Sequence, residues 1–501
     1  MTILQQLGLT KESMSRMVGP VTPFKDPSPR INRRWPAVPT EIRDAILKED
    51  MSAHFGCYGE KAIATPNLDQ LATIGTRFSH AFVTGPICSI SRSAMITGMY
   101  QTSIGAQHHR SGRGSLKINL PKEVVPVPSL FQQAGYHTSN CAFPQIAKGK
   151  TDYNFEFNPK IYDANDWANR KKDQPFFTQI QLHGGKYREG KNWDDLVLKE
   201  LGKPTDPNSP LIKLPPYYPN DPVIRNDWAA YLDTIRLTDK LLGQLIERLK
   251  NENVYDNTII FFWTDHGISH ARGKQFLYEE GIHVPLVVHG PKVAPNKVRD
   301  DLVEHIDIAA SSLAFAGIPI PESMQGKNIF ATDYKPREFV FSARDRADET
   351  VEHIRSARSE NFKYIRNYLN ERPHLQPNGY KDGKQILIRM KELFNQGKLD
   401  QIQSQIYATK RPKEELYDLR NDPWEIKNLA SDEKYAAELE RHRKALADWE
   451  IRTNDLGRIP ETEAQYDSDM AEYLGPKKGA SKNAILLKNI EQMKQWAKEG
   501  K

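Results

Sequence analysis

The chain has 501 residues, 38% hydrophobic and 27% charged, the make-up of a globular protein large enough for more than one core. Its formal charge of +6 is the small difference between 70 basic and 64 acidic groups, which accommodates an anionic substrate and gives no argument for nucleic acid. No apolar run approaches a membrane span, and three cysteines, Cys57, Cys88 and Cys141, are too few and too scattered for a disulfide framework or a zinc cluster.

Met1 to about Arg43 is rich in Pro, Arg and polar residues and lacks the apolar core of a signal peptide, so residues 1–43 are expected to form an atypical N-terminal extension. Ile42 to Lys48 predicts a poor buried strand, because charges interrupt the apolar run a central parallel strand needs, and it leads into the carboxylate pair Glu49-Asp50. Thr65-Pro66 opens a helix with Leu68, Leu71 and Ile74 on its apolar face and Gly75 as its stop. Phe78 to Val83 is a strand that delivers the chain to Pro86-Ile-Cys88-Ser-Ile-Ser-Arg92, where Cys88 would sit at a helix N-terminus, a position that favours an anion or a polarised nucleophile. A lone cysteine there is more often a small buried hydrophobe.

Pro128 to Ala134 is a short helix closed by Gly135, Tyr136 to Cys141 a strand, and Lys148-Gly-Lys-Thr-Asp-Tyr153 the loop beyond it. Phe176 to Leu182 is another apolar run, ending in His183-Gly-Gly-Lys186, and Gly190 to Asn226, with many Pro, Asp and Asn residues, predicts a long surface loop. Trp228 to Leu249 is the best amphipathic helix, Ile259 to Trp263 a short buried strand ending at Thr264-Asp265-His266-Gly267, and Val284 to Val288 another strand. Helices alternating with short buried strands predict an α/β fold, a mostly parallel central sheet sandwiched by helices over residues 44–332. Ligands bind beyond the carboxyl ends of such strands, so the polar clusters at Cys88, Lys150, His183 and Asp265-His266 are expected to converge. After about Thr332 the pattern changes to short strands (Glu338 to Ser342, Phe362 to Tyr368) and a helix near Glu433 to Arg452, a smaller C-terminal α+β domain over 333–455, followed by a basic tail over 456–501 whose helix is expected to dock on the body.

Several separated motifs resemble the sulfatase family of the alkaline phosphatase superfamily. Gly56-Cys-Tyr-Gly-Glu with Thr65-Pro-Asn-Leu-Asp69 resembles its first helix entry, and Cys88-Ser-Ile-Ser-Arg92 resembles its Cys-x-Pro-x-Arg signature with Ile90 at the proline position. Gly149-Lys-Thr-Asp-Tyr-Asn154 resembles the lysine motif in its sulfamidase-like form, with Asp152 where many members carry histidine. Thr264-Asp-His-Gly267 with Lys274 and Tyr278-Glu279 resembles the metal and sulfate motif, and Glu415-Leu-Tyr-Asp-Leu419 the C-terminal signature.

The resemblance implies hydrolysis of a sulfate ester or N-sulfate of a sulfated saccharide by an alkaline phosphatase-like fold. It implies that Cys88 is oxidised by a formylglycine-generating maturation enzyme, and that the formylglycine hydrate attacks sulfur with one hydroxyl and releases sulfate with the other. Cleavage places negative charge on sulfate and leaving oxygens, so the site needs a hard cation, fixed positive side chains and a nucleophile. Glu49, Asp50 and Asp265 suit Ca²⁺ or Mg²⁺, with His266 as a further ligand and Cys88 beside them. Arg92, Lys150 and Lys274 are the fixed cations, each with a structural ion pair as the alternative. The leaving-group acid is His183 or Lys186. Asp152, His108 and His109, with Lys150 and Lys274, are expected to line the substrate pocket, a solvated turn being the other reading of the Gln107 to Arg113 loop. A periplasmic or secreted location is the family expectation. A phosphodiesterase or phosphonate hydrolase on the same fold, and a non-catalytic glycan-binding descendant, are the alternatives.

Overall fold

The computed structural model describes residues 43–47, 50–475 and 479–501. The expected N-terminal extension, but for its last residue, and Glu49 lie outside them.

Strand β1 (Arg43–Leu47) opens the described chain, followed by α1 (Pro66–Thr73), β2 (Thr76–Phe82) and α2 (Cys88–Thr97). Next come α3 (Val127–Gln133), β3 (His137–Ala142), β4 (Ala147–Lys148), β5 (Phe176–Gln181), α4 (Trp193–Leu201) and α5 (Pro222–Asn251). Strands β6 (Thr258–Trp263), β7 (His283–His289), β8 (Lys297–Arg299) and β9 (Val303–Glu304) and helix α6 (Asp307–Phe315) complete the first layer set. The large sheet has the order β4-β3-β5-β1-β6-β7-β2-β8, with β9 also on β2. Its centre, β3-β5-β1-β6, is parallel throughout.

β1 corrects the expectation of a poorly formed strand. It sits between β5 and β6, with Asp44 opposite Phe177 on one side and Ile259 on the other. Backbone ladders to two apolar neighbours hold it there, and a run of only five residues needs little hydrophobicity of its own once both edges are paired. β7 departs from the parallel expectation too, running antiparallel to both β6 and β2.

β6 shows how the sheet buries both faces. Ile260 and Phe262 join the core under α5, while Ile259, Phe261 and Trp263 join the opposite core with Ile308 of α6. α5 starts where Asp221 accepts the Val223 N–H at 2.9 Å and Pro222 fills the first turn. Leu232, Ile235, Leu242, Leu245 and Leu249 are fully buried along it.

The segment from Gly190 to Asn226 is not one long surface loop. It contains α4 and the first turn of α5, and buries Trp193, Val197, Ile212, Tyr217 and Tyr218. The Trp193 and Val197 pair lies one helical turn apart, but Asp194 and Asp195 between them hid the spacing.

The second sheet is antiparallel, β10 (Val340–Arg344), β11 (Ile354–Arg358), β12 (Phe362–Asn367) and β13 (Glu414–Asp418), with α7 (Gln385–Asn395) in the long β12–β13 excursion. Helix α8 (Ala436–Arg452) covers it through Leu439, Leu446 and Trp449. Glu415, from the C-terminal signature, accepts from Tyr278 (2.9 Å), Tyr417 (2.6 Å) and Asn367 (2.6 Å), which ties this sheet to the first body. Helices α9 (Glu463–Tyr473) and α10 (Ala480–Lys498) pack on each other through Tyr466, Met470, Ile490 and Met493, so the basic tail helix is docked. Among the described residues no helix is long and apolar enough to cross a membrane.

Leu242→Ala, which empties a fully buried position of α5, is expected to lower unfolding free energy by about 2–5 kcal/mol, seen as a lower denaturation midpoint in urea at unchanged slope.

Candidate active site

Residues at the carboxyl ends of the central strands meet at Cys88. Cys88 is the first residue of α2, and all ten residues of that helix are buried, so the helix is a central pillar rather than an amphipathic surface element. Gly98 stops it in the left-handed conformation at φ 65°. Ile90 packs with Ile87 and Ala347, and its methyl lies where a Cβ on Gly85 would be only 2.6 Å away, so a larger residue at 85 would push it out.

Cys88 Sγ lies 3.1 Å from Lys274 Nζ, 3.3 Å from Lys186 Nζ and 3.2 Å from His266 Nε2. Asp50 completes the cluster: its Oδ1 is 3.1 Å from Lys274 and 2.7 Å from His266, and its Oδ2 is 3.0 Å from Lys186. Asp50 follows β1 with φ 55°, a conformation Asp tolerates, and its carbonyl would meet any Cβ at Gly185 at 2.3 Å. The absence of a side chain at Gly185 thus lets the chain pass close to Asp50 just before Lys186.

A second tier of charge stands behind. Arg92 Nε is 3.2 Å from Asp265 and 3.6 Å from Asp152, and Lys150 Nζ is 3.2 Å from Asp152. Asp265 Oδ1 accepts the Asp50 N–H at 3.2 Å. Cations and carboxylates alternate from the half-buried Lys150 to the fully buried Asp50.

Burial pushes the Cys88 thiol up, but Lys150, Lys186, Lys274 and His266 more than reverse this and hold it well below the ordinary thiol range. Burial likewise raises Asp50, and Lys186, Lys274 and His266 outweigh it, keeping the carboxyl well below the usual carboxylate range. His266 is raised, burial being overcome by Asp265 and Asp50.

The donor set fits a hard divalent cation. Asp50, Asp265 and His266 are all fully buried, and the Asp50, Cys88 and His266 ligand atoms lie within 4.8 Å of one another. The same donors around Sγ suit an oxygen carried on the Cys88 side chain, as the formylglycine expectation requires.

Other expected residues lie elsewhere. The His183 ring stacks on Tyr187 at 3.8 Å and its carbonyl accepts from Thr238, so it supports the loop without meeting Cys88. His109 is buried between Ser89 Oγ (2.6 Å) and Asp348 (3.5 Å), and His108 Nδ1 accepts the Arg346 N–H at 3.3 Å. Asn154, at the end of the lysine motif, clamps this loop to α2: its side chain donates to the Ala106 and His108 carbonyls at 2.9 Å, and its N–H donates to Ser93 Oγ.

Sequence reasoning missed Tyr380. Its ring lies 4.6 Å from Lys274 Nζ, 5.9 Å from Lys186 Nζ and 4.1 Å from Lys384 Nζ, a shared cation–π wall for the site. It comes from the β12–β13 excursion, and nothing in the local sequence sets it apart.

A buried cysteine ringed by fixed cations and carboxylates, at the carboxyl edge of a sandwiched α/β sheet, suits a hydrolase of anionic esters. The sulfatase family pattern matches residues 45–318, and the N-sulphoglucosamine sulphohydrolase C-terminal pattern matches residues 267–408. The chain therefore belongs to the sulfatase family of sulfuric ester hydrolases. It is 30% identical over 460 residues to an ulvan-active sulfatase of Formosa agariphila, spanning 83% of this chain and 76% of that one. It is 27% identical over 466 residues to human N-sulphoglucosamine sulphohydrolase, spanning 82% and 90%. A solved structure in complex with its substrate D-glucosamine-2-N,6-O-disulfate shares the fold at TM-score 0.57 and 18% identity, covering 83% of this chain and 98% of that one.

Behind α2, buried His305 accepts the Thr84 N–H at 3.2 Å on Nδ1 and lies 2.9 Å from the Ser91 carbonyl through Nε2, an arrangement that needs a neutral ring. Burial pushes its pKa down to about 4, the Ser91 hydrogen bond only partly opposing. Between pH 6.5 and about 4 the unfolded chain binds a proton that the folded chain does not, so stability falls as pH falls through that window. His305→Gln is expected to remove up to about 3 kcal/mol of this acid sensitivity, measured as a smaller drop in unfolding free energy from pH 7 to pH 4.5.

Proposed function

We propose that the chain hydrolyses a sulfate ester or N-sulfate of a sulfated saccharide at Cys88 in its formylglycine form. The observation that carries this reading is the convergence of Lys274, Lys186 and His266 within 3.3 Å of Cys88 Sγ, with Asp50 and Asp265 beneath. Names of relatives, an ulvan-active sulfatase and an N-sulphoglucosamine sulphohydrolase, support the substrate class.

Asp50, Asp265 and His266 are the side chains that would hold Ca²⁺, with Mg²⁺ as the alternative. When bound, the cation offsets negative charge on the sulfate oxygens, and formylglycine supplies the hydroxyl nucleophile. Lys274 holds the sulfate against the nucleophile position. Arg92 orients Asp265 through their 3.2 Å contact, and Lys150, with Asp152, bounds the entrance. Lys186 Nζ, 3.3 Å from Sγ, holds the proton best placed for the leaving oxygen, and this favours Lys186 over His183 as the acid. A formylglycine-generating enzyme is the implied maturation partner, and a periplasmic or secreted location follows from the same resemblance.

The decisive experiment is a mass spectrum of the tryptic peptide containing Cys88, from protein made in its native host, with Ca²⁺ and Mg²⁺ content measured alongside. An aldehyde in place of the thiol, a bound divalent cation and faster turnover of aryl sulfate than of aryl phosphate are expected. An unmodified thiol throughout overturns the mechanism. Lys186→Met is expected to lower kcat by about 10²–10⁴ with little change in KM, while His183→Gln stays within about threefold of the parent, in steady-state assays on a sulfated monosaccharide.

A further inference from the structure

A second cavity, of about 530 Å³, lies between the large sheet's body and the antiparallel sheet, away from Cys88. Arg272, Tyr278, His374, Arg411 and Glu415 line its polar side, and Ile402, Ile406 and Ile426 its apolar side. Arg272 is only two residues from Lys274 but serves a different face: its guanidinium stacks on Tyr278 at 3.8 Å and on Tyr217 at 4.8 Å.

Three buried donors of this wall have no hydrogen-bond partner among the described residues. They are Nε of Arg272, Nε of Arg411 and, where the neutral ring carries its proton there, Nε2 of His374, on residues exposed by only 4%, 6% and 9%. Arg272 donates through Nη2 to the Glu425 carbonyl at 2.7 Å, a neutral partner, and Arg411 to Glu352 at 2.7 Å and the Leu369 carbonyl at 3.0 Å. The one carboxylate lining the wall, Glu415, is engaged by Tyr278, Tyr417 and Asn367 rather than by either guanidinium Nε. It therefore leaves the guanidinium edges unanswered.

Burying two guanidinium edges without acceptors for their Nε–H groups is costly, and an acceptor bound in the cavity would offset that cost, with the His374 ring kept neutral by burial and by its cationic neighbours. The wall is also rigid: the His374 ring lies within 11° of parallel to Phe276 at 4.8 Å and within 18° of Tyr278 at 5.8 Å. The cavity exceeds what a bare oxyanion fills and falls in the size range of small-molecule sites. Its floor of isoleucines suits a flat apolar body rather than a second polar group.

We propose that this cavity binds a small organic anion, an acidic oxygen head held by Arg272, Arg411 and His374 and an apolar body against Ile402, Ile406 and Ile426. The site is separate from the sulfatase centre and does not depend on its chemistry. Lys410, 67% exposed in its side chain and paired with the exposed Glu371, stands at the mouth beside the exposed Ala408.

Benzoate is the probe, with benzamide as its uncharged counterpart, titrated into the full chain by calorimetry and saturation-transfer NMR. Saturable benzoate binding below about 10 mM is expected, with benzamide at least about tenfold weaker. Ala408→Trp at the mouth and Arg411→Met in the wall should each weaken benzoate by about tenfold or more, Lys410→Glu by a few fold, and Cys88→Ala not at all. Because Arg411→Met also breaks a buried ion pair, the exposed Ala408→Trp keeps the test sound if the former misfolds. Absence of saturable binding, equal binding of benzamide, indifference to Ala408→Trp, or loss of binding in Cys88→Ala would each overturn the proposal.

Discussion

Concentrating positive charge on one buried atom is the constraint around which this molecule is built. Lys274, Lys186 and His266 all approach Cys88, and bringing them together in a low-dielectric interior is affordable only with carboxylates interleaved. Asp50 meets three of these groups at once, Asp265 backs Arg92, and Asp152 stands between Arg92 and Lys150. Removing any one acid leaves an unbalanced cation rather than a weaker ion pair. Such an arrangement holds a polar field fixed before any substrate arrives, the condition under which electrostatic stabilisation of developing charge is most effective.

The sheet makes that balance possible. Asp50, Cys88, Lys186 and Asp265-His266 follow four different strands, β1, β2, β5 and β6, and parallel strand ends bring them to one edge without long loops. The second body then closes the site from the side. Tyr380 lays its ring beside Lys274 and Lys186, the Lys381 ammonium reaches the His270 carbonyl, and Gln275, left-handed at φ 77°, donates its N–H to the Pro86 carbonyl. The docked tail contributes as well: Arg346 pairs with Glu461 at 2.7 Å and Asp469 at 2.6 Å while its Nη1 donates to the His109 carbonyl. The loop after α2 therefore rests on helices that are distant in sequence.

Legibility varied with how local the controlling interaction was. The α1, α5 and α8 helices and the apolar strands β5 and β6 were evident from spacing, because their own side chains bury them. β1 was not, because two neighbouring backbones stabilise it, and α4 was not, because charges interrupt its short apolar stripe. At the site, Cys88, Asp50, Lys274, Asp265 and His266 were found by motif and placement, whereas the pair His183 and Lys186 could be separated only by geometry, with Tyr187 capturing the His183 ring.

The residue types and order of the chain by themselves determined an α/β sulfatase with a nucleophile position, metal-suited carboxylates and fixed cations at strand ends, since each of these is a property of short segments. Tertiary structure alone decided that Lys186 rather than His183 reaches Cys88, that Tyr380 from the second body walls the site, and that Arg272 turns away from it while Lys274 turns in. Most of those outcomes depend on contacts between segments far apart in the sequence, and no local pattern encodes the packing that selects among them.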